Sequence, residues 1–218
     1  MRVMIREFVE LCARTLPFRD PIHEFGAFQV AGQEAIAELR PVFPGRDYHG
    51  SDMRPGLGVE ILLNLHKLGL RNESIGSALL IDTLEHVEYP HRAMEEVYRI
   101  LKPDGIVIMS SVMQFPIHGF PDDYWRYTPS AFHSLLKPFS KALVESAGER
   151  DFPHSVVGVG IKGEVDEYTW KRFQAEIAVW SQRWYYQTHQ PGKLELFIKQ
   201  LTPPFALDAY RRLADRHS

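Results

Sequence analysis

Residues 78–111, ALLIDTLEHVEYPHRAMEEVYRILKPDGIVIMSS, read as a strand, a polar loop, a helix, a turn and a second strand in unbroken succession. The apolar run 78–81 has the length and composition of a strand buried on both faces. Asp82, Thr83, Glu85 and His86 follow at its carboxyl end, the edge at which open α/β sheets bind ligands. Pro90 fits the first turn of a helix, where a missing N–H leaves no bond unmade, and Met94, Val97, Ile100 and Leu101 recur at helical spacing. Lys102-Pro103-Asp104-Gly105 predicts a tight turn, after which the apolar run 106–109 returns parallel to the first strand. A right-handed crossover of this kind commits the chain to a sheet covered by helices.

The flanking sequence continues the alternation. Ile5, Phe8, Val9, Cys12 and Leu16 form the apolar face of a first helix ending at Pro17, read as a packing helix, with closure over a bound cofactor as the alternative. Residues 22–26 predict the first central strand and its turn, 33–40 a short helix ended by Pro41, 48–52 a second strand and 59–63 a third. Residues 130–136 predict a helix, and 141–146 with 155–161 a terminal antiparallel pair whose connecting loop includes His154.

Beyond residue 163 the composition changes. Trp170, Phe173, Ile177, Trp180 and Trp184 are spaced by three or four, which predicts one long helix over 164–190, a short one over 194–201 and another after Pro203-Pro204. The expected organisation is an α/β domain over 1–162 and an aromatic-rich helical extension over 163–218 packed on it. The extension also suits a homodimer interface or a substrate-pocket wall, since Trp and Tyr give large contact area at low entropic cost.

A formal charge of −3 gives no electrostatic reason to expect nucleic acid or an anionic membrane as partner. The single cysteine, Cys12, rules out an internal disulfide and a multi-cysteine metal site. The ten histidines are scattered, and none pairs with another at i, i+4 around a Glu, so no metal site is expected. Arg6, Glu7 and Glu10 interrupt the first apolar pattern and no later run reaches transmembrane length; the expected location is cytoplasmic.

A strand ending in Asp82, then Glu85-His86-Val87, an amphipathic helix, Leu101-Lys102-Pro103-x-Gly105 and a buried strand together resemble the class I S-adenosylmethionine-dependent methyltransferases. Asp122-Asp123-Tyr124-Trp125-Arg126-Tyr127-Thr128 resembles a segment of the small "type 11" methyltransferase domains. The resemblance implies a doubly wound, Rossmann-like α/β fold: a seven-stranded sheet, mostly parallel with an antiparallel last strand, here followed by the C-terminal helical extension. It implies S-adenosylmethionine as cofactor and a polar small molecule as methyl acceptor.

Carried onto this sequence, the cofactor residues are Glu24 and Gly26 in the first turn, with Glu24 facing the methionine ammonium, Asp52 on the ribose hydroxyls, Asn64 beside adenine, and Asp82 at the end of the central strand. Phe28 and Val30 stand where the family's loop usually has glycine. That departure supports a rival reading, a non-catalytic methyltransferase-like protein serving in binding or assembly. On the acceptor side, His86, His118 and Asp122 are the candidate general bases, needed only if the nucleophile carries a proton. The long loop 113–128 reads as a lid, with Tyr124, Trp125 and Arg126 turned toward the acceptor, or else as a segment held to the core by its own aromatic and charged pairs.

Overall fold

In the computed structural model, the residues described are 2–30, 32, 34–119 and 121–188. The helices expected over 194–201 and after Pro203-Pro204, and the last residues of the long aromatic helix, lie outside them. The strands are β1 (Ile22–Phe25), β2 (Tyr48–Asp52), β3 (Ile61–Leu62), β4 (Ile75–Ile81), β5 (Leu101–Val112), β6 (Lys141–Gly148) and β7 (Pro153–Ile161). The helices are α1 (Val3–Thr15), α2 (Glu34–Ala37), α3 (Pro90–Ile100), α4 (Pro129–Leu135) and α5 (Glu167–Thr188). One seven-stranded sheet runs β3-β2-β1-β4-β5-β7-β6, with only β7 antiparallel to its neighbours.

The period-2 pleat of β4 accounts for the two cores. Every residue of β4 is buried, yet successive side chains leave the sheet on opposite faces. Leu79 and Ile81 join Ile5, Phe8, Trp180 and Phe173 of α1 and α5. Ala78 and Leu80 join Met94 and Val97 of α3 and Phe132 of α4. A strand sandwiched in this way has no polar face, which is why 78–81 reads as a continuous apolar run.

The turn expected at 102–105 takes a different form. The helix closes at Ile100, with Leu101 N–H donating to Val97 O, and Leu101 already pairs with Ile75 in the sheet. The ladder then shifts and resumes at Ser77 and Ile106, so Lys102–Gly105 is an irregularity inside the strand, with Asp104 at φ +60°. Pro41 does not end the 33–40 helix but opens a 3-10 turn, Arg40–Val42, separate from the shorter α2. The third strand shrinks to two residues at the sheet edge. His154 belongs to β7 and not to a loop, because the β6–β7 ladder continues out to Gly148 opposite Pro153.

The aromatic helix α5 lies on α1 and β6. Trp180 packs its ring 5.8 Å from that of Phe8 and donates its indole N–H to Met4 O at 3.2 Å. Trp184 Nε1 donates to Glu7 Oε2 at 3.2 Å, and Ser181 Oγ donates to Ser146 O at 2.8 Å. Among the described residues no helix is long and apolar enough to cross a membrane.

Candidate active site

Register sets the site. Phe25, the last residue of β1, lies opposite Ser51 of β2 on one side and Leu80 of β4 on the other, so three parallel strands end almost level. Their carboxyl ends and following loops enclose a cavity of about 830 Å³. Glu24, Gly26, Asp52, Asn64 and Asp82 all line it, as do His86, His118, Asp122 and Tyr124. Trp125 and Arg126 are not among its lining residues.

At the β1–β2 end the backbone is pinned before any ligand arrives. Gly26 and Ala27 N–H both donate to Ser51 O, at 2.8 and 2.9 Å. Gly26 has φ +82°, and a Cβ there would collide with the Thr83 side chain, so conformation and space both demand glycine. Glu24 is buried and accepts a hydrogen bond from Tyr48 Oη. Burial raises its carboxyl to about 7, against the lowering effect of that bond. Asp52 Oδ1 accepts from Arg54 N at 2.9 Å and lies 3.4 Å from Arg54 Nε. Asn64 Oδ1 accepts from His66 N at 2.9 Å. Phe28, in the glycine-loop segment, sits beneath the Arg54 guanidinium, 4.5 Å from ring centroid to Cζ, and its ring packs on Gly56. It lines the cavity as a wall where the family's loop has open backbone.

At the β4 end the groups are of another kind. Asp82 holds a left-handed backbone, φ +47°, with its N–H on Ser110 and its Oδ1 accepting from Ser110 Oγ at 2.7 Å and from Arg2 Nη2 at 3.3 Å. Arg2, at the N-cap of α1, thereby reaches the cavity, which gives the first helix a place at the site beyond packing. Glu85 is fully buried; its Oε2 accepts from Ser111 Oγ at 2.6 Å, and its Oε1 has no hydrogen-bond partner among the described residues. Burial raises this carboxyl to about 8, and Asp82 pushes the same way. His86 and His118 stand edge to face, 4.9 Å between ring centroids. Burial holds the His86 pKa below its ordinary value, against the raising effect of its bond to the Asp122 carbonyl.

The loop 113–128 is bound to this end by its backbone. Tyr124 and Trp125 N–H both donate to Glu85 O, Trp125 Nε1 donates to Val87 O at 3.0 Å, and the buried Tyr127 Oη donates to Leu84 O at 3.0 Å. Arg126 grips Asp123 with two nitrogens, 2.7 Å on the Nη2 arm, and donates to the Phe115 and Pro116 carbonyls. Its ion pair holds the Asp123 carboxyl well below the usual range. Arg126 therefore works as a clamp of the loop, and Trp125 as a tether. The sequence places Glu85 in the polar cluster at the ligand edge of β4, but its burial and its contact with Ser111 have no local signature. Asp123, beside His118, had an equally ordinary setting in a run of charges.

Residues 49–109 match the profile of a family described as a methyltransferase domain. Solved structures share the fold. One is an S-adenosylmethionine-dependent methyltransferase of Thermotoga maritima, described as a possible histamine N-methyltransferase: 19% identity, 73% of this chain and 92% of that one covered, TM-score 0.53. Another is the Burkholderia thailandensis 1,6-didemethyltoxoflavin-N1-methyltransferase with bound 1,6-didemethyltoxoflavin and S-adenosylhomocysteine: 14% identity, 74% and 79% covered, TM-score 0.56. A third, from Archaeoglobus fulgidus, is described as a SAM-dependent methyltransferase: 12% identity, 72% and 94% covered, TM-score 0.54. A search of curated proteins finds no match. Sheet order and these structural matches give the α/β body the Rossmann-like fold that such methyltransferases share, and the profile match over 49–109 falls within that body.

Proposed function

We propose that the protein transfers a methyl group from S-adenosylmethionine to a polar small molecule that enters the cavity from the β4 end. The observation that carries this reading is the division of one cavity into two polar ends, Glu24, Asp52 and Asn64 at one and His86, His118, Asp122 and Tyr124 at the other. The donor set of the first end fits the cofactor chemically. A carboxylate has the acceptor oxygens for ribose hydroxyls, Asn64 an acceptor for an adenine amine, and Glu24 an acidic group for an ammonium. When bound, the cofactor supplies a methyl on a sulfonium with a good leaving group.

What remains for the chain is placement. Gly26 and the backbone pinned to Ser51 keep the first turn low over the strand ends, and Phe28 closes the side. The loop tethered at Glu85, Val87 and Leu84 borders the acceptor and excludes water, so that nucleophile and methyl carbon meet in line. An acceptor that carries a proton gives it to His86, His118 or Asp122, which line the same edge. The Burkholderia enzyme, whose structure holds a small heterocyclic acceptor beside S-adenosylhomocysteine, supports a small-molecule acceptor here.

The test is titration and thermal unfolding with S-adenosylmethionine and S-adenosylhomocysteine. At a hundred times the dissociation constant, a ligand selective for the folded state stabilises it by about 2.7 kcal/mol, a shift of a few degrees in Tm. No heat and no shift with either compound sinks the enzyme reading in favour of a non-catalytic binding protein.

A further inference from the structure

We propose that Glu85, His86 and His118 form a binding site for a divalent first-row transition-metal ion at the acceptor end of the cavity, with open positions that receive an oxygen or nitrogen of the acceptor. The inference deepens the methyl-transfer reading and rests on it only for the role of the ion, not for the binding itself; with the ion bound, His86 and His118 are ligands and the acceptor's proton goes to Asp122 at the same edge instead.

The geometry of the ligands is the first argument. One carboxylate oxygen of Glu85 and one ring nitrogen each of His86 and His118 lie within 4.8 Å of one another, and all three residues line the cavity. Tetrahedral zinc with metal–ligand distances near 2.1 Å needs its ligand atoms about 3.4 Å apart. Closing that gap takes a small rotation of His118, which lies on the loop and is only partly buried.

The surroundings of the ligands are the second and independent argument. His86 Nδ1 lies 2.6 Å from Asp122 O, and a carbonyl only accepts. That nitrogen therefore carries the proton, and Nε2 is left with its lone pair. His118 Nδ1 lies 3.2 Å from Pro116 O and 3.2 Å from the carboxylate of Asp123, again acceptors only, which puts a proton on Nδ1 and leaves Nε2 as the nitrogen available to a metal. A neutral imidazole whose other nitrogen donates to a carbonyl or carboxylate is the outer-shell arrangement of metal-ligating histidines. Asp123 is itself held by Arg126, its side chain 3% exposed, so the support is rigid. Glu85 completes the set. It is fully buried, one oxygen fixed by Ser111 and the other without a partner among the described residues, a costly state for a carboxylate that a cation relieves. Two imidazoles and one carboxylate suit zinc, iron or cobalt, and leave coordination positions for substrate.

Histidine spacing gives no sign of the site, because His118 is far from His86 in sequence and reaches it only when the loop folds back over the β4 end.

The experiment uses the full-length protein stripped with chelator and titrated with cobalt(II), followed by visible absorption and calorimetry, then with zinc(II) in competition. The expected result is one ion per chain, displaced by zinc. His118→Ala, on the loop, should lower cobalt affinity at least about 100-fold, and Asp123→Asn about 10- to 100-fold, the range for outer-shell partners. Glu85→Gln should do the same as His118→Ala; if that buried variant fails to fold, the His118 variant alone decides. Absence of cobalt binding to the wild type, or affinity unchanged in folded His118→Ala, overturns the site. A parallel titration with S-adenosylhomocysteine in chelator separates the two readings. Cofactor binding without cobalt binding removes the metal site alone, and cobalt binding without cofactor binding removes the methyl-transfer reading alone.

Discussion

At the β1–β2 end of the cavity, Glu24 accepts from Tyr48 and Asp52 from Arg54, so each carboxylate already has a donor. At the β4 end, Glu85 keeps one oxygen unpartnered among the described residues, and the histidines donate through Nδ1 to acceptors, so that Nε2 is the nitrogen left for a ligand. The first end can bind a ligand by exchanging one hydrogen bond for another, which costs little and gives modest, additive affinity. The second end holds polar groups whose requirements are unmet inside the protein, which is how a site stores affinity for something it lacks. Binding and chemistry are thus expected to separate in space, and mutations at the two ends should fail differently.

The largest effect is expected at the β4 end. His86→Ala should cut turnover, across a panel of hydroxylated and aminated acceptors, by about 10²- to 10⁴-fold, the usual scale for a lost acid–base group. Its affinity for S-adenosylhomocysteine should stay within about twofold by calorimetry. Equal losses in both would erase the distinction between the two ends.

Next comes the pH dependence carried by Glu24, whose facing groups are Tyr48, Glu38 and Arg40. Its folded pKa of about 7 lies above the ordinary 4.5, so ionisation is harder in the native state than in the unfolded chain. Its contribution to stability is full at acid pH and is lost as pH rises from about 4.5 to 7, by roughly 3 kcal/mol. Urea unfolding at intervals from pH 4.5 to 8 should show that decline, flattened in Glu24→Gln. A decline of the same steepness in the variant would assign it elsewhere, Glu85 being the next carboxyl raised by burial.

A smaller loss is expected for Asp52→Ala, which should weaken S-adenosylhomocysteine binding by about 1.5–3 kcal/mol while leaving the fold intact. Unchanged affinity would return Asp52 to its bond with Arg54 and no more. Smallest is Trp125→Phe, which removes the indole donor to Val87 O and keeps the ring. About 1 kcal/mol of stability should go, read by thermal unfolding, with cofactor affinity untouched. A change in affinity instead would make the loop part of the cofactor end.

Much of this architecture is written locally. The apolar run of β4, the helical spacing of α3 and Pro90 at its first turn depend on period and on backbone chemistry within a dozen residues, and they specify the crossover and the sheet class. Glu24, Asp52, Asn64 and Asp82 gather around one cavity for the same reason: each lies at or just past the end of a strand, and parallel strands end at one edge. The turn at 102–105 was misread because turn chemistry marks a bend without saying whether a ladder passes through it. Trp125 and Arg126 looked acceptor-facing by composition, but which way a loop side chain turns depends on the carbonyls it meets, here Val87, Phe115 and Pro116. The sequence alone determined the α/β class and the cavity's place at the carboxyl edge. Only the tertiary structure decided that Glu85 is buried beside Ser111 and that His118 folds back onto His86, because burial and pairing between segments are set by packing, and packing leaves no periodic trace in either segment.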